Sequence, residues 1–273
     1  MSDHASILNE GLAAAAFDKQ APQFDLIYGN DTIVQYKRKR VREHVGKLLA
    51  PGSSILELNA GTGEDAVFFA DQGHTVHATD ISEGMQQVLR KKIEEHQLND
   101  LVSNEICSFT DLEALQQQGP YDLIFSNFAG LNCTSQLDKV LSSFQFLLKP
   151  NGIATLVLLP KFCLWEFLLL FKGRFKTAFR RFAGAKGAAA KIDDEHFRCW
   201  YYNPSYIREH LKDTFEVIGL EGLCTFVPPS YIEGFAEKHP RLYGSLVKKE
   251  NKWKSKWPWK LVGDYYIISL RKK

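Results

Sequence analysis

Short, nearly unbroken apolar runs recur through the first 160 residues, and each is followed by a turn and then a stretch with helical spacing. Ser53–Leu58, Val76–Asp80, Leu101–Ile106, Tyr121–Ser126 and Gly152–Leu159 read as five strands. Between them, 64–72, 83–97 and 135–148 read as helices, with Ala66, Val67, Phe69 and Ala70 toward the buried side of the first and Ser82 placed to cap the second. Residues 4–50 read as helical with a break at Gly29-Asn30, after which Asp31 can cap a new helix. Apolar strands that alternate with helices need cover on both faces, and right-handed crossovers then favour a doubly wound, mostly parallel α/β layer.

After Pro160 the rhythm changes. Residues 161–199 hold a strongly apolar segment followed by a basic, Phe-rich one, and a helix is expected from Pro204-Ser205 through Leu211. Phe215–Leu220 and Val262–Leu270 read as two last strands with a helical or irregular insertion between them.

Composition narrows the class. The chain has 273 residues, 45% hydrophobic and 24% charged, enough for a sizeable core without disulfide or metal staples. Disorder, collagen and a small secreted scaffold are excluded. The net charge of +2 conceals two basic stretches: residues 161–191 carry eight Lys or Arg against one acid, and 248–260 carry six Lys against one. The remainder is therefore acidic, which argues against a globally basic nucleic-acid binder and leaves a local positive surface open. Cys107, Cys133, Cys163, Cys199 and Cys224 are scattered without a C-x-x-C pair, so reduced thiols in a cytoplasmic protein are expected. Met1–His4 lack the basic and apolar blocks of a leader, and the greasiest run, Ile153–Phe171, is interrupted by Pro160, Lys161 and Glu166, a poor membrane span.

The sharpest local signal is the turn Asn59-Ala60-Gly61-Thr62-Gly63 between a strand and a helix. Gly61 and Gly63 allow a tight turn and close approach of a ligand to the backbone. Asp80, 19 residues after Gly61 at the end of the next strand, is placed to accept hydrogen bonds from a ribose diol. A dinucleotide fingerprint fits poorly, because Asn59 and Glu64 stand where its first and third glycines belong and Glu64 opposes a pyrophosphate. There is no G-x-x-x-x-G-K-[S/T] loop either. A nucleoside without phosphate that carries an amino acid suits the residues better, with Glu57 holding an ammonium group directly or through water. The bland alternative is a tight turn with Asp80 as a solvent-exposed cap.

Four ordered blocks, ILELNAGTGEDAVFFA, VHATDIS, YDLIFSNFAGLN and LKPNGIATLVLLP, resemble the class I S-adenosylmethionine-dependent methyltransferases, particularly the broad small-molecule group that includes the quinone-methylating enzymes. The resemblance covers residues 31–160 and extends to the antiparallel end of that fold in the two late strands. It implies a Rossmann-like methyltransferase sheet with an antiparallel C-terminal strand, divided as an N-terminal helical cover (1–50), a cofactor-binding core (51–160), a hydrophobic and basic helical insertion (161–202) and the remainder of the fold with a basic Trp-rich insertion (203–273). It also implies S-adenosyl-L-methionine as cofactor and S-adenosyl-L-homocysteine as product. Glu57 and the loop Asn59, Ala60, Gly61, Thr62 and Gly63 would surround the methionyl part, Asp80 the ribose and Ile81 the adenine. Ser108 and Phe109 would lie near adenine, and Asn127 and Phe128 would border the amino acid and methyl donor. Asn59 replaces the commoner first glycine and can take a left-handed turn, while Ser108 stands where an Asp commonly meets the adenine amino group.

Methyl transfer from a sulfonium asks for alignment of a nucleophile and exclusion of water. It needs no metal, and the chain has no H-E-x-x-H spacing and no G-x-S-x-G elbow. Tyr28, in a segment resembling the part that folds over the active site in this group, can contact donor or acceptor or simply pack the cover. His196, beside Asp193, Asp194 and Glu195, can act as a general base or belong to an aromatic hinge. The basic, Phe-rich insertion can line a lipophilic tunnel, meet an anionic surface such as a membrane, or form a helical cap. The interleaved Lys and Trp of 252–260 admit RNA stacking or a loop that closes the late strands. The expectation is methylation of a small hydrophobic or aromatic metabolite by direct displacement, in the cytoplasm or transiently at a membrane. RNA methylation, NAD-dependent oxidation and non-catalytic cofactor binding are the alternatives, and monomer and homodimer both stay open.

Overall fold

In the computed structural model, which describes residues 3–273, the early apolar runs form five contiguous strands of one sheet, from one edge inward. Met1 and Ser2, where the segment read as lacking a leader begins, lie outside the described residues. Three helices come first: α1 (Asp3–Gln20), α2 (Phe24–Gly29) and α3 (Thr32–Val45). Asp31 caps α3, its carboxylate accepting from the Val34 N–H at 2.7 Å. There follow β1 (Ser54–Leu58), α4 (Glu64–Asp71), β2 (Thr75–Asp80), α5 (Glu83–Glu95), β3 (Val102–Ile106), β4 (Tyr121–Ser126), α6 (Leu137–Leu147) and β5 (Leu148–Leu158). The Ser82 hydroxyl caps α5 by accepting from the Met85 N–H at 3.1 Å.

The second half adds α7 (Leu164–Leu168), α8 (Phe175–Phe179), the strands β6 (Ala188–Ile192) and β7 (Glu195–Cys199), α9 (Pro204–Leu211), β8 (Phe215–Leu223), α10 (Phe235–Lys238), α11 (Pro240–Trp253) and β9 (Tyr265–Lys272). The sheet order is β3-β2-β1-β4-β5-β9-β8. β1 to β5 pair in parallel, and β9 runs antiparallel between β5 and β8. One face is buried under α6 and α9 through Leu137, Val140, Phe144 and Ile207, and the other under α3, α4 and α5 through Val41, Val45, Phe69 and Leu89. The strand order reverses between β1 and β4, so a crevice opens there at the carboxyl ends of the strands.

The insertion departs from expectation. Residues 161–202 are not a helical unit: α7 and α8 have five residues each, and β6 and β7 form an antiparallel hairpin. Ala188-Ala189-Ala190 favours helix by propensity, but Gly187, at φ 65°, breaks the chain just before it. The hairpin also gains a packing site, with Phe197 buried against Ala13 and Ala16 of α1. Tertiary burial outweighs the local preference here. Among the described residues no helix is long and apolar enough to cross a membrane.

Candidate active site

After β1 the chain turns through Asn59 at φ 48°, Gly61 at φ 57° and Gly63 at φ 75° into α4. Asn59 takes the left-handed conformation expected of it. Its side chain is a strut, donating to the Asn127 carbonyl at 2.9 Å and accepting from the Ser126 hydroxyl at 2.6 Å, which joins the loops after β1 and β4. The two glycines are needed for different reasons. A Cβ on Gly63 would meet Leu89 Cδ1 at 2.1 Å, so Gly63 admits α5 against the turn, whereas a Cβ on Gly61 would point into open space. Gly61 is held by its dihedral and by its N–H, which donates to Asp80 Oδ2 at 2.8 Å. The other Asp80 oxygen accepts from the Ser82 N–H at 2.9 Å. Burial raises the Asp80 pKa above the ordinary carboxylate value, and these backbone donors partly offset it.

A cavity of about 340 Å³ opens over this turn, within the range of small-molecule sites. It brings together Tyr28, Glu57, Asn59, Ala60, Gly61 and Thr62, and beside them Asp80, Ile81, Phe109, Asn127 and Phe128. Three of the sequence-predicted residues are placed elsewhere. Gly63 faces Leu89 instead of the cavity. Ser108 turns its hydroxyl to Glu10 Oε2 at 2.6 Å and Thr110 Oγ1 at 2.8 Å. His196 is exposed on β7 opposite Lys191 and does not border the cavity, because strand alternation buries its neighbour Phe197 instead.

Charge inside the cavity is unevenly satisfied. Asp65 accepts from Arg38, Arg42 and Asn127 at 3.1, 2.6 and 2.8 Å. Glu57, buried beside it, has one oxygen, Oε2, with no partner. Burial and then the Asp65 charge push the Glu57 pKa well up, against the pull of Arg38 and Arg42. A buried carboxyl with an open oxygen suits a cationic ligand, which would restore its charge.

The N-terminal helices close the cavity. Asp18 on α1 accepts from the Ser82 hydroxyl and the Gly84 N–H at 2.6 and 2.8 Å. Asp25 on α2 accepts from the Thr62 hydroxyl at 2.6 Å and pairs with Lys92 at 2.7 Å. Tyr28 borders the cavity with its hydroxyl 3.4 Å from Gln20 Oε1, a long contact that leaves it free to turn to a ligand.

Sequence reasoning missed Glu10, Lys37, Arg38 and Tyr265, all of which line the cavity. Lys37 and Arg38 lie in the run Tyr36-Lys37-Arg38-Lys39-Arg40, which looks like a solvated face. The signal was periodicity: 34, 37, 38 and 41 share one helix face, and Val34 and Val41 mark that face as buried. Among the described residues, Cys163, Glu166 and Asp264 bring potential metal donors within 4.8 Å of one another, but Arg181 already pairs with both carboxylates.

Comparison with known proteins bears on the family and the fold. A family described as a methyltransferase domain matches residues 55–152. A demethylmenaquinone methyltransferase from Symbiobacterium thermophilum is 30% identical over 141 residues, which covers 50% of this chain and 54% of that protein. The chain spans between 54% and 59% of the length of the curated methyltransferases it matches. Among solved structures, a 1,6-didemethyltoxoflavin-N1-methyltransferase from Burkholderia thailandensis, with bound substrate and S-adenosylhomocysteine, has a TM-score of 0.58 at 15% identity and covers 98% of this chain and 91% of its own. A [4+2]-cyclase has a TM-score of 0.61 at 16% identity, with 95% and 94% covered. At such identities the structural likeness speaks for the fold alone, and the cyclase is a reminder that one fold hosts several chemistries.

Proposed function

We propose that this chain, whose residues 55–152 match a methyltransferase domain, is a class I S-adenosylmethionine-dependent methyltransferase that methylates a small-molecule acceptor. The observation that carries the reading is the joint placement of Asp80, tied to the Gly61 N–H, and the open Glu57 oxygen in one cavity at the strand-order reversal. Asp80 accepts from the ribose hydroxyls, Glu57 pairs with the amino-acid ammonium, and the backbone at Ala60 and Gly61 borders the methionyl chain. Ile81 and Phe109 flank the adenine. S-adenosylmethionine, when bound, supplies a methyl group already activated on sulfur.

The chain's own work is to hold, orient and exclude water. The N-terminal helices roof the cavity through the Asp18 and Asp25 contacts, and release of these contacts would open it. Glu10, 3% exposed with Oε1 unpartnered, brings a carboxylate to Ser108, where the resemblance implies an acid near adenine. Tyr28 positions the acceptor from α2, and no general base is assigned: a nucleophile that is already anionic or of low pKa needs only alignment. Asn59 and Glu64 in place of fingerprint glycines speak against a dinucleotide. Exposure of Phe167, Phe171, Phe175 and Phe179 beside Lys172 and Lys176 supports peripheral contact with a membrane or another protein over a lipophilic tunnel.

The test is calorimetry with S-adenosylhomocysteine, followed by transfer of labelled methyl from S-adenosylmethionine into a metabolite extract. Saturable binding and a labelled organic product are expected. Binding of NAD in its place, or label in RNA alone, would overturn the reading.

A further inference from the structure

The two ends of the cavity differ in chemistry. Asp80 and Glu57 mark the end over β2 and β1, whereas Lys37, Ser230, Phe128 and Tyr265 gather toward β4 and β9. β2 and β9 are four strand spacings apart, roughly 19 Å, so the two groups of residues lie over different parts of the sheet.

Lys37 is the unusual member of this far group. Only 3% of the residue is exposed. Its ammonium has three N–H donors, and the one hydrogen bond it makes is to the Ser230 hydroxyl at 3.1 Å. Its other neighbours are ring faces, with Nζ 5.4 Å from the Phe128 centroid and 4.9 Å from that of Tyr265. Nearby carboxylates are engaged elsewhere: Asp264 by Arg181 at 2.5 Å and Asp31 by the α3 cap. Arg38, the other cation on the cavity wall, is paired with Asp65. Among the described residues Lys37 is thus the one cavity-lining cation without an acidic partner. Burial opposes its charge, while the surroundings, Tyr265 first and then Cys224, Asp264 and Asp31, raise its pKa. The Tyr265 hydroxyl also has no hydrogen-bond partner among the described residues. A buried ammonium with N–H donors to spare suits an anionic oxygen.

We propose that Lys37, with Ser230 and Tyr265, receives an anionic oxygen of the acceptor, a carboxylate or phenolate carried on an apolar or aromatic body. The inference rests on the methyltransferase reading only in assigning this end to the acceptor; the anion itself follows from Lys37. Phe128 and Val34 offer the apolar contact for the body. The anion orients the acceptor and need not be the atom that is methylated.

The experiment uses the full chain saturated with S-adenosylhomocysteine and titrates three matched acid and amide pairs: benzoate with benzamide, phenylacetate with phenylacetamide, and 2-naphthoate with 2-naphthamide. At least one acid is expected to bind tenfold or more tightly than its amide. Lys37→Met should abolish that preference and Lys37→Arg should retain part of it, while affinity for S-adenosylhomocysteine stays within threefold. Absence of an acid preference in all three pairs, or a preference that survives in Lys37→Met, would overturn the proposal. The wild-type comparison and a Ser230→Ala variant carry the test if Lys37→Met does not fold. Failure to bind S-adenosylhomocysteine would count against the methyltransferase reading instead, so the two failures are distinguishable.

Discussion

The glycine turn and the insertion that follows β5 both emerge from the carboxyl ends of strands, yet opposite means hold them in place. At the turn, a single carboxylate, Asp80, meets backbone N–H groups that lie 19 and two residues away in the chain. In the insertion, buried side-chain charges meet one another over long separations: Glu166 accepts from Arg180 and Arg181, and Arg181 reaches Asp264, 83 residues on. Glu166 and Arg181 are 1% and 2% exposed, and the two arginines lower the Glu166 pKa despite its burial. Every strong charge in that cluster is neutralised, whereas the cavity keeps Glu57 Oε2, Glu10 Oε1 and the Lys37 ammonium open. Buried charge by itself does not mark a functional site here. Unmatched buried charge is what singles out the cavity proposed as the site.

The largest effect should separate the two regions. Arg181→Ala leaves Glu166 and Asp264 buried with much of their pairing gone, a change that costs about 3–5 kcal/mol. Chemical denaturation should report that loss, while affinity for S-adenosylhomocysteine in the folded fraction changes little. A variant that keeps its stability but loses the ligand would erase the distinction.

Gly61→Val makes the reverse test. A β-branched residue at φ 57° strains the turn by about 1–2 kcal/mol, and its side chain enters the cavity. Calorimetry should show binding of S-adenosylhomocysteine weakened by roughly a hundredfold or lost, with a smaller stability change than Arg181→Ala. Asp80→Ala should weaken binding by about tenfold to a hundredfold. Part of that loss would come from the freed Gly61 and Ser82 N–H groups, so the variant probes the shape of the turn as well as the proposed ribose contact.

The bond between Asp80 and the turn illustrates what the sequence made legible. The five parallel strands, the caps Asp31 and Ser82, and the turn with its acidic partner all depend on neighbours within about one βαβ unit, where periodicity and turn chemistry are informative. The hairpin β6-β7 was missed because it depends on α1: Asn9 donates to the Cys133 and Arg198 carbonyls and accepts from the Arg198 N–H, 189 residues away. His196 attracted notice for its acidic neighbours, yet register places it on the outer side of that hairpin. Glu10 and Lys37 escaped notice because their meaning comes from a cavity assembled by distant elements.

A smaller effect concerns pH at the open end of the comparison. The Glu57 pKa in the fold lies above its ordinary value of 4.5, so the group favours folding at low pH and opposes it as pH rises through the raised value. A ligand ammonium beside Glu57 reverses that opposition. The thermal shift given by S-adenosylhomocysteine should therefore grow as pH rises through this window, with release of a proton on binding. In Glu57→Gln the shift should be smaller and flat with pH across the same range. A wild-type shift that is equally flat would remove Glu57 from the ammonium contact.

The smallest effect belongs to the outer side of the insertion. Phe171 is 84% exposed, and Phe175 62%. A ring already in water gives up almost no burial when it is replaced, so Phe171→Ser should change stability by less than about 0.5 kcal/mol. Sedimentation of wild type and variant should also be the same. A loss above 1 kcal/mol that depends on protein concentration would mean that a second copy of the chain covers this face. In that case the outer insertion, like the ion cluster beneath it, would be satisfied by partners, and the cavity would be left as the region whose buried groups still await theirs.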